Sequence, residues 1–318
     1  MRVGWSNLFS YLSRKPGKYS SIGIGYDVNG LHLCAFKEVD NKQICILNQT
    51  FSGEDWASEL KFFVDAEGLE NSHTVISFSP KKYQLVQADK PSVPEEELSQ
   101  ALSWSIKELL TTQDEVTVDY FDIPAQTMGA NKVNVVAIPK AELHEVCEKI
   151  MQSGLHLKTV TVDELAHCDL FPAESDAYIS VIQEPGAEVC LNIVKDGHLY
   201  FSRRIRGYEQ LSTFSEMELQ MGIAETLSVE LQRSMDFFEG QLKQAPVKKI
   251  LLKMDTEHQG ALVQLIKDSM LVDLQPLQVD VEKDDAISID NLSLGALGAA
   301  LSLLREEETS EPKLEATA

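Results

Sequence analysis

The sequence predicts an α/β fold built from two similar lobes, each a mixed β-sheet flanked by α-helices. Near the start of the chain, two apolar runs are joined by Asn29 and Gly30, a dipeptide typical of tight β-hairpins. A second pair of apolar runs is joined by Asp196 and Gly197 in the other half of the chain. After each hairpin the pattern changes to helix and then to another apolar strand, so the same order of elements occurs twice.

In the first half, the predicted elements follow the hairpin directly. The hairpin spans residues 21–36, and after it come a strand at 43–47, a helix at 55–66 and a strand at 74–78. In the second half, strands at 178–182, 188–195 and 198–204 precede a long helix at 215–238, whose apolar residues recur at helical spacing. The remaining predicted elements are strands at 249–253 and 271–274 and helices at 257–269 and 292–304.

An additional segment, at about residues 81–140, interrupts the first half and predicts a small inserted subdomain. It contains a helix with an acidic start at 94–110 and strands at 116–121 and 132–138. A helix at 141–152 and a strand at 158–162 complete the first lobe. The predicted organisation is therefore an arm at 1–20, a first lobe at 21–173, a second lobe at 174–305 and a disordered acidic tail at 306–318.

The composition disfavours several classes of protein. The net charge of −22 repels nucleic-acid phosphates, so a nucleic-acid partner is not expected. The 5 cysteines are odd in number and form no CxxC pair, which disfavours a disulfide framework or a zinc site. No P-loop, GxSxG or HExxH motif, no signal peptide and no run of about 20 apolar residues is present. We therefore expect a cytoplasmic protein without a metal site.

The duplicated layout is that of the actin, sugar-kinase and Hsp70 superfamily (a ribonuclease H-like fold). From about Ile22 to Leu304, the order of its pieces resembles the PilM family of type IV pilus assembly proteins. Within that family it is most similar to the MshI branch, which belongs to the mannose-sensitive haemagglutinin (MSHA) pilus. The segments that carry the resemblance are TTQDEVTVDYFDI, the turn Gly154-Leu155, the junction Val162-Asp163-Glu164, the hairpin VCLNIVKDGHLYFSRRIRGYEQLS and the closing helix NLSLGALGAALSLLRE.

The resemblance implies a nucleotide cleft between the lobes, but the residues expected there depart from the pattern of a working ATP site. The first phosphate loop falls on Gly23, Gly25 and Asp27, where Gly25 replaces the acid that holds the metal. A shift of one frame would instead make Asp27 that acid. In the second loop Gln183 replaces the acid, and the residue before Gly186 is a proline, which lacks a backbone N–H donor.

Two further positions complete the expected cleft. The adenosine turn reads Met254-Asp255 where the family has two glycines, and Glu225 aligns with an acid near the nucleotide. We predict a degenerate cleft without ATP or magnesium as a resident cofactor, and a protein that is not an enzyme. The glycines would then serve tight hairpin geometry alone. Two alternatives stay open: weak nucleotide binding without hydrolysis, and an active actin-like ATPase whose ATP binding gates partner binding.

The resemblance also implies a role as an adaptor. PilM-like proteins capture the short cytoplasmic tail of a bitopic inner-membrane protein of the PilN type, and they connect the membrane platform to the cytoplasmic assembly ATPase. The side chains predicted to line the tail-binding surface, with core packing as the alternative for each, are Trp104, Ile106, Tyr120 and Phe121. A component of a type II secretion platform is the rival assignment.

The amino-terminal arm has a pattern of its own. Its apolar side chains fall at i, i+3, i+4 and i+7, the spacing of one helical face: Trp5, Leu8, Phe9 and Leu12. Cations, including Arg14 and Lys15, surround that face, and no acid lies within residues 1–20. The pattern favours contact with an anionic inner membrane or with a partner, which would make the protein peripheral to that membrane. The alternatives are that the arm packs back on its own domain or is flexible.

Overall fold

A computed structural model describes residues 17–53, 55–288 and 292–310, without side chains for 307–310. The chain divides into two compact units. The described residues of the first unit are 17–122, 133–170 and 280–310, and those of the second are 123–132 and 171–279, with the same gaps. Each unit contains a five-stranded sheet, and the first also contains a three-stranded sheet. The predicted duplicated α/β architecture is therefore confirmed.

The first five-stranded sheet begins with an antiparallel meander. It consists of β1 (Ser21–Tyr26), β2 (Gly30–Val39) and β3 (Lys42–Ser52). Helix α1 (Trp56–Glu67) follows, and β4 (His73–Phe78) then pairs with β1 in parallel. Gly68 adopts the left-handed conformation (φ 68°) that ends α1, and its amide donates to the Val64 carbonyl.

The inserted subdomain is a three-stranded sheet covered by one helix. Its elements are β5 (Gln84–Asp89), α2 (Glu95–Ser105), β6 (Val116–Asp122) and β7 (Lys132–Pro139), in the sheet order β5-β7-β6. Sequence analysis missed β5 because this edge strand buries only Ala88 well. The helix predicted to reach residue 110 ends at Ser105, whose hydroxyl donates to the Leu102 carbonyl in competition with the helix.

The chain then returns to the large sheet of the first unit. Helix α3 (Lys140–Gln152) leads to β8 (His156–Val162), which pairs with β4 in parallel and completes the order β3-β2-β1-β4-β8. A short helix, α4 (Asp163–Ala166), and a 3₁₀ turn, His167–Leu170, follow.

The second unit repeats this strand order as β11-β10-β9-β12-β13. The first three strands are β9 (Tyr178–Ile182), β10 (Val189–Lys195) and β11 (His198–Ile205), all antiparallel. The helices α5 (Glu216–Glu218) and α6 (Ala224–Gly240) come next, and then β12 (Lys249–Lys253), α7 (Gln259–Lys267) and β13 (Asp273–Pro276). The single helix predicted at 215–238 is broken at Gly222, whose φ of 126° is not helical.

The closing helix α8 (Leu294–Ser310) belongs to the first unit and packs on β1, β4 and α4. This corrects the predicted division, which placed residues up to 305 in the second lobe and a disordered tail from 306. The reason is packing: α8 presents small residues that let it lie directly against β1 and α4, namely Gly295, Ala296, Gly298, Ala299 and Ala300. The predicted tail beyond 310 lies outside the described residues.

Candidate functional site

In the loop of the first hairpin, the Asp27 carboxylate accepts hydrogen bonds from amides of the same loop. Strand β1 continues through Tyr26, so Asp27 is the first residue of the turn. The Asp27 carboxylate accepts hydrogen bonds from the amides of Asn29 (2.7 Å) and Gly30 (3.0 Å), and His32 Nε2 lies 3.3 Å away. Burial alone would raise the pKa of Asp27, but the His32 side chain and the two amide hydrogen bonds outweigh burial and lower the pKa.

Gly23 and Gly25 lie within β1 and serve close packing. A Cβ on Gly23 would stand 1.9 Å from the Ala296 carbonyl oxygen, and one on Gly25 would stand 2.7 Å from Ser293 Oγ. Neither glycine has a positive φ. The space beside both residues is therefore filled by the segment that begins α8, and hairpin geometry does not explain them.

The second hairpin loop is organised by Gln183, which is buried at the end of β9. Its Nε2 donates to the carbonyls of Tyr208 (2.6 Å) and Ala187 (3.0 Å). Its Oε1 accepts from the Asp255 amide at 3.2 Å. A neutral amide, which both donates and accepts, fits these three partners, whereas a carboxylate at the same position could not donate to the two carbonyls.

The amide of Gly186 also bonds to a carboxylate, since it donates to Asp255 Oδ2 at 3.2 Å. Gly186 has a φ of 65°, so the residue type is explained by a left-handed turn. Met254, at the expected adenosine turn, is buried in the core of the second unit. Asp255, in the expected adenosine turn, is thus hydrogen-bonded both to Gln183, at the expected position of the metal acid, and to Gly186, in the expected phosphate loop. Glu225 is exposed in the first turn of α6.

Of the four predicted partner-binding residues, two are accessible to solvent and two are buried. Trp104 is 74% exposed, and Tyr120 is half-buried, with Lys90 Nζ 5.6 Å from its ring. Ile106 and Phe121 are buried, which corrects their assignment to a surface. Ile106 continues the face of α2 that packs on the small sheet, and Phe121 alternates with Tyr120 along β6.

A polar cluster that the sequence does not predict lies where the subdomain joins the large sheet. Lys82 Nζ lies 2.7 Å from Glu142 Oε1 and 4.4 Å from the centre of the Tyr26 ring. Trp56 lies beside Tyr26, with ring centroids 6.3 Å apart. Lys82 precedes the subdomain in sequence and Glu142 follows it, so this ion pair links the segment that enters the subdomain to the segment that leaves it. No sequence pattern links residues so far apart.

Other candidate chemistry is limited. In the part of the chain that the structure describes, no group of three or more His, Cys, Asp or Glu side chains is placed to hold a metal ion. All five cysteines are buried, and burial raises the pKa of Cys45 to about 11 and that of Cys147 to about 12. No described helix is both long and apolar enough to cross a membrane. The arm residues assigned to membrane or partner contact lie outside the described residues.

Comparison with known proteins identifies the fold. No family model and no curated protein matches the sequence. Among solved structures, a chain of the "PilM-PilN type IV pilus biogenesis complex" is similar at a TM-score of 0.65 and 16% identity, over 93% of this chain and 100% of that one. A Bacteroides thetaiotaomicron protein with actin-like ATPase fold is similar at a TM-score of 0.52 and 10% identity, over 90% and 96% of the two chains. The chain has the actin-like ATPase fold.

A third similar structure is the cytoplasmic domain of EpsL, an inner-membrane component of the type II secretion system of Vibrio cholerae. Its TM-score is 0.49, with 13% identity over 92% of this chain and 96% of that one. In this actin-like chain, the two hairpins to which the resemblance assigns phosphate binding are the loops closed by Asp27 and Asp255.

Proposed function

We propose that this chain is a docking protein of the inner-membrane platform that assembles a type IV pilus of the MSHA type. It binds the cytoplasmic tail of a bitopic, PilN-like membrane protein and does not hydrolyse ATP. The observation that carries the second part is that both hairpin loops use their amides internally, on Asp27 and Asp255. The similarity along 93% of the chain to a PilM–PilN structure supports the first part.

The closed loops disfavour a triphosphate for an electrostatic reason. A phosphate would need the amides of Gly30 and Gly186, which already donate to carboxylates. To reach them it would displace Asp27 or Asp255 and then stand beside the displaced negative charge. At about 4 Å in an environment of intermediate dielectric, that repulsion amounts to about 4 kcal/mol for each pair of unit charges.

The small subdomain offers a surface for an extended tail. Strand β6 is an edge of its sheet, and Tyr120 lies along it. Trp104 and Leu109 are exposed at the end of α2 and beyond, at 74% and 53%. An extended peptide can pair with the edge strand and place apolar side chains against exposed aromatic residues, which are the commonest anchors of protein interfaces.

This function implies a place and partners for the protein. It would reside in the cytoplasm, held at the inner membrane by the tail of its bitopic partner. From there it would contact the cytoplasmic pilus assembly ATPase. The net charge of −22 continues to disfavour nucleic acid as a partner.

Calorimetric titration with ATP and magnesium tests the closed loops. We expect no saturable heat at millimolar nucleotide with the wild-type protein. Micromolar binding that requires magnesium would contradict the proposal and favour the alternative of an ATPase that gates partner binding.

Co-purification with inner-membrane pilus proteins tests the docking role. We expect capture of a bitopic protein with a short cytoplasmic tail, and we expect Trp104→Ala to weaken its binding by at least about tenfold. Leu271→Ala is the matched control, because Leu271 is also an exposed apolar side chain but belongs to the second unit. Equal loss in both variants, or none in Trp104→Ala, would argue against the proposed surface.

A further inference from the structure

The exposed face of α1 combines an aromatic side chain with small and acidic neighbours. Phe62 is 78% exposed, an unusual state for a phenylalanine. Ser58 and Ala66, one turn away on each side, are also exposed and leave room for an approaching helix. The face is flanked by exposed carboxylates, namely Glu59, Asp65, Glu67 and Glu70.

The carboxyl end of α1 favours cations for two reasons. Its last turn reads VDAE and contains no basic residue to balance the helix dipole. The acidic side chains of that turn add to the negative potential. Lys18 already lies there, with Nζ 3.5 Å from the position of a Cβ on Gly68.

The described chain begins at this same place. Gly17 packs against Ser72, and the Tyr19 hydroxyl donates to the Glu67 carbonyl at 3.2 Å. Residues 1–16 are therefore tethered directly beside the end of α1. Residues 13–16 alone span up to about 14 Å, whereas Phe62 lies about 9 Å along the helix from Gly68.

We propose that residues 1–16 dock onto the exposed face of α1 in the same molecule, as an amphipathic helix parallel to α1. In that direction Leu12 meets Ala66, Leu8 and Phe9 meet Phe62, and Trp5 meets Ser58. Arg14 and Lys15 then lie beside the carboxylates at the end of α1. This inference is independent of the proposed docking of a pilus protein.

The two surfaces match in charge and in tether length. The arm carries cations and no acid, whereas α1 carries three exposed carboxylates against one exposed lysine, Lys61, and Glu70 lies just beyond its end. A short tether gives an effective concentration in the millimolar range, so a weak contact between two such faces is populated within one molecule. The docked arm covers Phe62 and withholds its own apolar face from lipid.

Tryptic cleavage of the full-length protein after Arg14 tests this docking, since Lys15 precedes a proline and resists trypsin. Cleavage follows the population of the undocked arm when docking is faster than cleavage. We expect Phe62→Ser to raise the cleavage rate about tenfold and Phe62→Leu to keep it near the wild-type rate. Leu271→Ser, which removes an exposed apolar side chain of the second unit, should leave it unchanged. Equal rates for wild type and Phe62→Ser would overturn the proposal.

Two further measurements separate the possible occupants of the face. Cleavage rates should not change with protein concentration, because docking within one molecule does not depend on dilution. Protection that disappears on dilution would mean that a second copy supplies the arm, and would overturn the proposal. In addition, Trp5→Cys with Ser58→Cys, which keeps Phe62, should form an intramolecular disulfide under mild oxidation, since the five native cysteines are buried. Failure of this pair to cross-link would count against the parallel register.

Discussion

Replacing Gly23 by alanine tests whether this glycine serves packing. The added Cβ would stand 1.9 Å from the Ala296 carbonyl oxygen and 2.5 Å from the Ala300 amide nitrogen. Both are backbone atoms of α8, so no side-chain rotation relieves the clash. To restore an ordinary contact distance of 3.4 Å, α8 would have to move by about 1.5 Å. Such overpacking costs about 1–3 kcal/mol, and a backbone clash lies at the upper end of that range.

The corresponding change in melting temperature is large enough to measure. A loss of about 3 kcal/mol lowers the melting temperature of a unit of this size by roughly 6–12 °C. Tryptophan fluorescence reports on the first unit, because Trp56 and Trp104 both belong to it. Gly25→Ala should cost less than Gly23→Ala, since its nearest neighbour is the Ser293 hydroxyl at 2.7 Å, which can rotate away.

A matched control uses a glycine with open space around it. Gly260 lies in α7, and nothing stands within 4 Å of its added Cβ. Gly260→Ala should stabilise its helix by about 0.5–1 kcal/mol, as detected by circular dichroism. If Gly23→Ala melted within 1 °C of the wild type, the close approach of α8 to β1 would be refuted, and Gly23 would again be available to a ligand.

Three further predictions concern the loops and the cysteines. Gln183→Leu removes the donor from the Tyr208 and Ala187 carbonyls and should destabilise the second unit by about 2–3 kcal/mol, detected as faster hydrogen exchange in β9 and β10. Asp27→Ala should cost about 1 kcal/mol at pH 7. Because the folded-state pKa of Asp27 is lowered, that difference from the wild type should disappear as the pH falls below 3.8 and the carboxylate is protonated; a difference that persists at low pH would contradict this. The native protein should not react with a thiol reagent at pH 8, since burial raises the pKa of Cys45 to about 11; rapid labelling of any thiol would show that a cysteine is accessible.

The local elements of this fold could largely be predicted from the sequence. The turns at Asn29-Gly30 and Asp196-Gly197 each join two paired strands, as the dipeptides indicate. Strand β12 has the predicted bounds. These signals are local, since they depend on neighbouring residues and on alternation along one strand.

Non-local packing could not be predicted in the same way. Nothing in the sequence of α8 tells which sheet it covers, because small residues allow close approach to any glycine-containing strand. The edge strand β5 has little apolar periodicity, and the break at Gly222 depends on a backbone conformation that the apolar spacing of α6 conceals. At the candidate site, the resemblance indicated which residues lie in the two loops, but not that Asp255 bonds to Gly186, 69 residues away.

The glycines of β1 are explained by packing within the chain. In a working site, a glycine near the first loop is explained by the approach of backbone amides to phosphate. Here Gly23 and Gly25 are explained by the approach of α8, and the loop amides by the Asp27 carboxylate. Every feature that a bound phosphate would account for in this loop is therefore accounted for by the chain itself. For this reason the glycine pattern in β1 gives no support to nucleotide binding, and the hydrogen bonds of the loop amides are the relevant observation.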